Sequence, residues 1–488
     1  MRRKAVHKRA IPNISANARG VVRRKNDEDC TQVFDYACPQ HKALPHVVKF
    51  SGGRSSGMLL FTLLEKGMLD AGRGDVVVFN NTSAEHPATY AFVRECKAVC
   101  EKKYGIPFLW TEFQTYETAS AGIYNRLPAY RLVNDRPHSA RDNPDGYHCR
   151  GEVFEEMISW AGYLPNQFSG RICTSWMKLF VSKEFLRDWF AAKDGVERLG
   201  HFGEESRIDP DDIHAAHERN GGRTPKKIFL AKKQFCLCRP LHRPARKFAD
   251  FSSVADCRKI DSEELRGKSM GGRVRLSGDF GVDYCSFVGF RADEPARLAK
   301  MRARANGGSD GAESGGEEAD AYHAAPEGEH VYAPLMQFGT SKEDVARFWE
   351  RRDWNLRLPQ NANLSNCVYC FLKGGNALWQ LAHRQDSVNR KLPAGLRAQK
   401  NAPSDIQWWA DLEEKYGRDL VAEGRKINPK VLGSGQERPI IGFFGLNSRG
   451  SYRNILQLSR DYKNKKIRGK RRKMYLGEFQ NLPCDCTD

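Results

Sequence analysis

The stretch that most constrains this 488-residue chain is Val47-Val48-Lys49-Phe50-Ser51-Gly52-Gly53-Arg54-Ser55-Ser56-Gly57-Met58-Leu59-Leu60. A short β-branched run becomes a glycine-serine loop. An apolar segment of helical character, Met58 to Leu64, follows. Strand, small-residue loop, helix is the layout of an anion cradle. Gly52 and Gly53 let the backbone approach an anion and allow positive φ. Free N–H groups at the helix start, together with the helix dipole, favour negative charge there. Three hydroxyls (Ser51, Ser55, Ser56), one guanidinium (Arg54) and three glycines (Gly52, Gly53, Gly57) lie within seven residues. That density favours anion binding over an ordinary βα turn.

From this loop the pattern alternates. Asp75-Val76-Val77-Val78-Phe79-Asn80 predicts a second buried strand, with a polar loop through Pro87 at its C-terminal end. Thr89 to Tyr104 reads as an amphipathic helix, on which Cys96 and Cys100 share an apolar, core-facing side. Pro107 to Thr111 predicts a third, short strand, and Val288 to Pro295 a strand running into a polar turn. This alternation predicts an α/β fold: a parallel twisted sheet flanked by helices, with a helical and irregular C-terminal part. Ligands of such sheets bind beyond the C-terminal strand ends, where the Ser51 and Asn80 loops both lie. Residues 120–170 read as helix and loop. Thr340 and Glu343 predict a helix cap with its capping box. Four regions result: a flexible basic arm at 1–45, an α/β domain at 46–300 with an irregular insertion at 195–280, a disordered acidic loop at 301–330, and a helical part at 331–488. The last carries a cysteine motif, expected to return to the sheet edge, and a basic tail.

A net charge of +19 and a pI near 9.3 point to a polyanionic partner, either nucleic acid or an anionic nucleotide. Lys463 to Lys473 and Arg239 to Lys247 are dense basic runs, readable as solvated segments or as phosphate-backbone contacts. No apolar run approaches the roughly 18–20 residues that span a membrane. No apolar segment follows the basic N-terminus as in a secretory signal. A cytoplasmic location without a membrane partner is expected, where the 14 cysteines stay reduced. The close pairs Cys236/Cys238, Cys367/Cys370 and Cys484/Cys486 read as ligands of a metal or cluster.

Several segments, in order along the chain, resemble the phosphoadenosine phosphosulfate (PAPS) reductase family of the adenine nucleotide α-hydrolase-like, or PP-loop, superfamily. Ser51-Gly52-Gly53-Arg54-Ser55-Ser56 resembles the PP-loop itself. Asn81-Thr82-Ser83-Ala84-Glu85-His86-Pro87 is similar to the family's Asn-Thr-Gly-x-Glu-x-Pro segment. Arg171-Ile172-Cys173-Thr174 with Lys178 resembles its Arg-x-Cys-Thr-x-x-x-Lys motif, and Gly289 to Glu294 its Gly-Ile-Arg-x-Asp-Glu strand-turn. Cys367-Val368-Tyr369-Cys370 resembles the Cys-x-x-Cys of cluster-bearing members. The combination is most similar to uncharacterised phage and bacterial members.

The resemblance implies that 46–300 is a nucleotide-binding domain. In it, Ser51 to Gly57, with Asn81 and Thr82, would hold an adenine nucleotide, PAPS or ATP. Lys178, Arg291 and Glu85 become the candidate catalytic residues. Relatives divide into two chemistries. Some reduce an adenylated sulfate with a thiol electron donor, after a cysteine thiolate attacks the sulfur. Others consume ATP and move sulfur from a donor to nucleic acid or another acceptor. A PP-loop fold that has lost catalysis and only binds nucleic acid is a third reading. The resemblance also implies a [4Fe–4S] cluster on Cys173, Cys367, Cys370 and a fourth thiolate. Cys484 is the first choice, with Cys486, Cys236, Cys238 and Cys149 as alternatives. Zinc on the same cysteines is the competing reading. Two departures stand out: Ser55 occupies the place where ATP-using relatives show Asp, and no Glu-Cys-Gly-x-His segment carries a nucleophilic cysteine.

Overall fold

The computed structural model describes residues 36–120, 123–166, 172–193, 284–295, 297, 299, 328–359, 364, 366–421, 439–446 and 450–463. They form a main sheet of seven strands: β1 (His46–Phe50), β2 (Val76–Asn81), β3 (Phe108–Ser120), β4 (Ile123–Pro137), β5 (Gly146–Tyr147), β6 (Tyr284–Val288) and β7 (Glu329–Tyr332). Their spatial order is β5-β4-β3-β2-β1-β6-β7. Neighbours run parallel except for β3 and β4. The Val-rich strands β1 and β2 are buried apart from the half-buried Lys49 and Asn80, and β6 is buried throughout. Burial on both faces is what a parallel sheet covered by helices requires.

The longer α-helices among the described residues are α1 (Arg54–Glu65), α2 (Pro87–Tyr104), α3 (Glu152–Ala161), α4 (Val181–Lys193), α5 (Lys342–Glu350), α6 (Gly375–Lys391), α7 (Ile406–Tyr416) and α8 (Tyr452–Lys463). α1 packs on β1, α2 and α5; α4 packs on β2, β3 and β4. Phe50 sits among Phe79, Phe92 and Phe108, with ring centroids 6.5, 6.5 and 5.1 Å away. Cys96 and Cys100 are fully buried in this core. A small antiparallel sheet of β8 (Arg418–Asp419), β9 (Ile440–Gly442) and β10 (Gly445–Leu446) accompanies α7 and α8. Among the described residues no helix is long and apolar enough to cross a membrane.

The chain steps from β1 to β2 to β3 on one side, then places β6 and β7 on the other. Strand order therefore reverses between β1 and β6, and in open α/β sheets that crevice is where ligands bind.

Three expectations need correction. The third strand is not short: β3 runs 13 residues and pairs antiparallel with the 15-residue β4, from Trp110↔Val133 to Ser120↔Ile123. The stretch 123–137 is thus strand rather than helix and loop. Its Ile, Tyr, Leu and Val residues have strand propensity, and Ala121-Gly122 fall between the two strands in sequence. The cap of α5 also lies one residue later than expected. Ser341 accepts from Asp344 N at 3.2 Å while Asp344 Oδ2 accepts from Ser341 N at 2.8 Å. The Thr340 backbone is engaged elsewhere, its carbonyl accepting from Ala292 N at 2.9 Å.

Candidate functional site

The glycine-serine loop closes on itself before it meets anything else. Gly52 has φ +81°, and a Cβ there would lie 2.9 Å from Thr89 Cγ2, so only glycine lets α2 approach. Ser56 Oγ donates to Gly53 O at 3.0 Å and accepts from Ser51 Oγ at 3.0 Å and Ser51 N at 3.3 Å. The Ser56 hydroxyl is a strut. Gly53 is the N-cap of α1, and the first helical bond runs from Gly57 N to Gly53 O at 3.0 Å. The preceding N–H groups, of Arg54, Ser55 and Ser56, have no acceptor within the helix.

The turn after β6 supplies the cation. A Cβ on Gly289 would stand 2.9 Å from both Ser56 Cα and Ser56 N, so the two loops touch backbone to backbone. Arg291, 8% exposed, donates from Nη1 to Ser55 Oγ at 2.9 Å. Its Nε donates to Asp293 at 3.0 Å, and Glu294 lies 3.4 Å from Nη2. Arg54 is placed otherwise. Its Nε donates to Asn355 Oδ1 at 3.0 Å and its Nη2 to Leu358 O at 2.6 Å and to Leu356 O. These bonds commit the Arg54 guanidinium to the 355–358 segment, and Arg291 is the cation that reaches the loop.

The loop after β2 is a buried hydrogen-bond hub. Asn81 Nδ2 donates to Glu112 Oε1 and to His148 O, both at 2.7 Å. Its Oδ1 accepts from Ser83 N at 2.9 Å and Tyr90 OH at 3.1 Å. Asn81 therefore spends its amide on structure. Ser83 has φ +57° and its Oγ accepts from Val153 N at 3.0 Å, which ties the loop to α3. His86 caps α2 by accepting from Ala88 N at 3.2 Å, and burial lowers its imidazole to about 4. Thr82 Oγ1 donates to Glu85 Oε1 at 3.0 Å and lies 3.5 Å from Cys367 Sγ. Burial pushes the Glu85 carboxyl above its usual range; Lys178, the Thr82 hydroxyl and Lys373 pull the other way. Lys178 is carried on a π-helical turn, Ser175–Phe180, a backbone form common at functional sites.

The structure thus gathers Ser51 to Gly57, Arg291, Thr82, Glu85, Lys178 and the cysteine segment at the C-terminal edge of the sheet. Val368 N donates to Ala84 O at 3.2 Å, which seats that segment on the β2 loop. Cys173, Cys367 and Cys370 all act electrostatically on the Tyr452 hydroxyl. Still, among the described residues no three His, Cys, Asp or Glu side chains stand together in a group able to hold a metal ion. These three thiols do not by themselves fit a four-thiolate cluster or a zinc site. Cys484, Cys486, Cys236, Cys238 and the basic stretches 239–247 and 464–473 lie outside the described residues.

One feature was absent from the sequence reading. Glu112 and His148, 1% and 2% exposed, form a buried pair with Nδ1 to Oε2 at 2.7 Å, and His148 N also donates to Glu112 Oε1 at 2.7 Å. The Glu112 charge, against desolvation, holds His148 above the usual imidazole range; His148 and Arg131, against desolvation, hold Glu112 below the usual carboxylate range. His138 stacks on His148 at 4.4 Å between centroids.

No known protein family and no solved structure matches the chain. Over 50 residues it is 50% identical to an uncharacterised nin region protein, ORF290, of Escherichia phage lambda. That segment is 10% of this chain and 17% of the phage protein.

Proposed function

We propose that the chain is a PP-loop enzyme of the PAPS reductase type, acting on the phosphate or sulfate end of an adenine nucleotide. The observation that carries this reading is the Arg291–Ser55 hydrogen bond across the point where strand order reverses. It sets a fixed cation beside the N–H groups of α1 that have no acceptor within the helix, and together they suit an oxyanion. The proximity of Lys178 and Cys367 to Glu85 adds a cation and a thiol at the next strand end. In this reading the Ser51–Gly57 loop and Arg291 bind and orient the anionic group, and Lys178 offsets charge that develops on it. An iron–sulfur cluster would supply electron density or a sulfur-binding iron. The described cysteines do not by themselves complete its ligand set.

Incubation of the full chain with labelled PAPS or ATP tests the reading. Sulfite release without pyrophosphate is the expected result. Pyrophosphate with AMP would place the chain among ATP-consuming sulfur transferases instead. Neither product, alongside salt-sensitive DNA or RNA binding, would leave a binding protein on a catalytically silent fold. Iron and zinc analysis of the anaerobically purified chain decides the cysteine question: about four irons supports the cluster, and stoichiometric zinc alone overturns it.

A further inference from the structure

Glu85 has one carboxylate oxygen committed and one open. Oε1 accepts from Thr82 Oγ1 at 3.0 Å, whereas Oε2 meets no hydrogen-bond partner among the described residues. The residue is only 3% exposed. A buried carboxyl oxygen without a hydrogen-bond partner costs roughly 1–3 kcal/mol, so its persistence points to a ligand that completes it, and Lys178 and Lys373 favour its ionised form against burial. One turn later Thr89 Oγ1, on a fully buried residue, is open in the same way, and its methyl group faces Gly52. Thr89 therefore stands where α2 meets the glycine-serine loop, and Glu85 stands in the β2 loop just before that helix. β1 and β2 are adjacent, with a spacing of about 4.8 Å. A nucleotide with its phosphates on Ser51 to Gly57 that extends along the strand ends toward β2 brings its nucleoside to Glu85.

We propose that Glu85 Oε2 accepts a hydrogen bond from the exocyclic amino group of the bound base, and so selects 6-aminopurine nucleotides over 6-oxopurines. The inference rests on the nucleotide reading above and adds the residue that reads the base. A carboxylate offers only acceptors, which match a 6-amino group and oppose a 6-oxo group. A site built to receive a donor rejects an analogue that lacks one far more strongly than a merely hydrophobic pocket would.

The test is calorimetric binding of ATP and ITP to the full chain. ATP is expected to bind at least about tenfold more tightly than ITP. In Glu85→Gln the ratio should fall to within about threefold, because the new amide donates to a 6-oxo group. Glu85→Asp separates this role from simple charge balance with Lys178 and Lys373. Asp keeps the charge but withdraws the oxygen, so selectivity should be lost here too. Retention of the full ratio in Glu85→Asp or Glu85→Gln, at unchanged melting temperature, overturns the proposal. So does equal affinity of the wild-type chain for both nucleotides. Binding of neither nucleotide, and of no PAPS either, fells the nucleotide reading itself, and the selectivity with it.

Discussion

At the scale of single residues, Ser55 decides the electrostatics of the cradle. Arg291 donates to a neutral hydroxyl there, while Asp293 and Glu294 pair its other nitrogens, so the Ser55 side is where an anion would meet the guanidinium. Ser55→Asp would place a carboxylate in the first turn of α1, beside Arg291. Two separable effects follow. The new Arg–Asp pair and the helix dipole should roughly offset the cost of burying a carboxylate at this 2%-exposed position, so the stability of the free chain should change little. The same carboxylate repels an incoming anion and takes up the guanidinium, so sulfate or ATP binding in EDTA should weaken about tenfold or more. Melting temperature and anion titration read the two effects separately. A variant that binds sulfate as well as the wild type would show that Ser55 does not face the ligand. The importance of Ser55, Gly52 and Arg291 is legible in the sequence because each acts within a short strand-loop motif. The orientation of Arg54 is not. Its acceptors lie about 300 residues further on, at 355–358, and nothing local to the loop announces them.

Among the elements, the β3–β4 ribbon shows why the remainder was hidden. Strands β1, β2 and β6 are apolar runs buried on both sides, whereas β3 mixes Thr, Glu, Gln and Tyr with its apolar residues. Its polar positions are filled by partners from elsewhere: Glu112 by His148, and Thr115 by Glu156, whose Oε1 accepts from both Thr115 N and Oγ1 at 2.7 Å. Without those partners the segment reads as irregular. The π turn that carries Lys178 likewise has no distinctive sequence pattern. The Glu112–His148 pair has a pH signature. Because His148 is raised, its share of stability is complete below the ordinary imidazole value of about 6.5. It is lost as pH rises through the raised folded value. Because Glu112 is lowered, its share is present above the ordinary carboxylate value of about 4.3 and lost as pH falls through the depressed one. Thermal melts across this range should peak between the two windows. Glu112→Gln breaks a buried pair and should cost roughly 3–5 kcal/mol at the optimum. It should also abolish the decline on the alkaline side, and an unchanged alkaline limb would assign that decline to other groups.

Across the whole molecule, the candidate site is closed by parts of the chain far apart in sequence. Trp349, on α5, is fully buried against α1. Its Nε1 donates to Arg54 O at 2.8 Å, and a Cβ on Gly57 would stand 2.5 Å from its ring. Phe92 of α2 and Trp354 complete the cluster, with centroids 4.9 and 5.2 Å from Trp349. The first turn of α1 is thus held from behind by an aromatic wedge from the C-terminal part. If the wedge sets the loop's geometry, its loss should damage stability and ligand binding together. Trp349→Ala should cost roughly 3–5 kcal/mol. Trp349→Phe, which keeps a ring but leaves Arg54 O without its donor, should cost about 1–3 kcal/mol. A control of similar size lies at the opposite sheet edge: Trp189 is 2% exposed, and its Nε1 donates to Gly74 O at 3.0 Å, just before β2 begins. Trp189→Ala should lower stability by a similar amount. It should nevertheless retain the ligand-induced stabilisation of the wild type, about 2.7 kcal/mol at a ligand concentration one hundred times Kd. Trp349→Ala should lose most of that increment at the same concentration. Equal increments in the two variants would mean that α5 supports the fold without setting the geometry of the cradle.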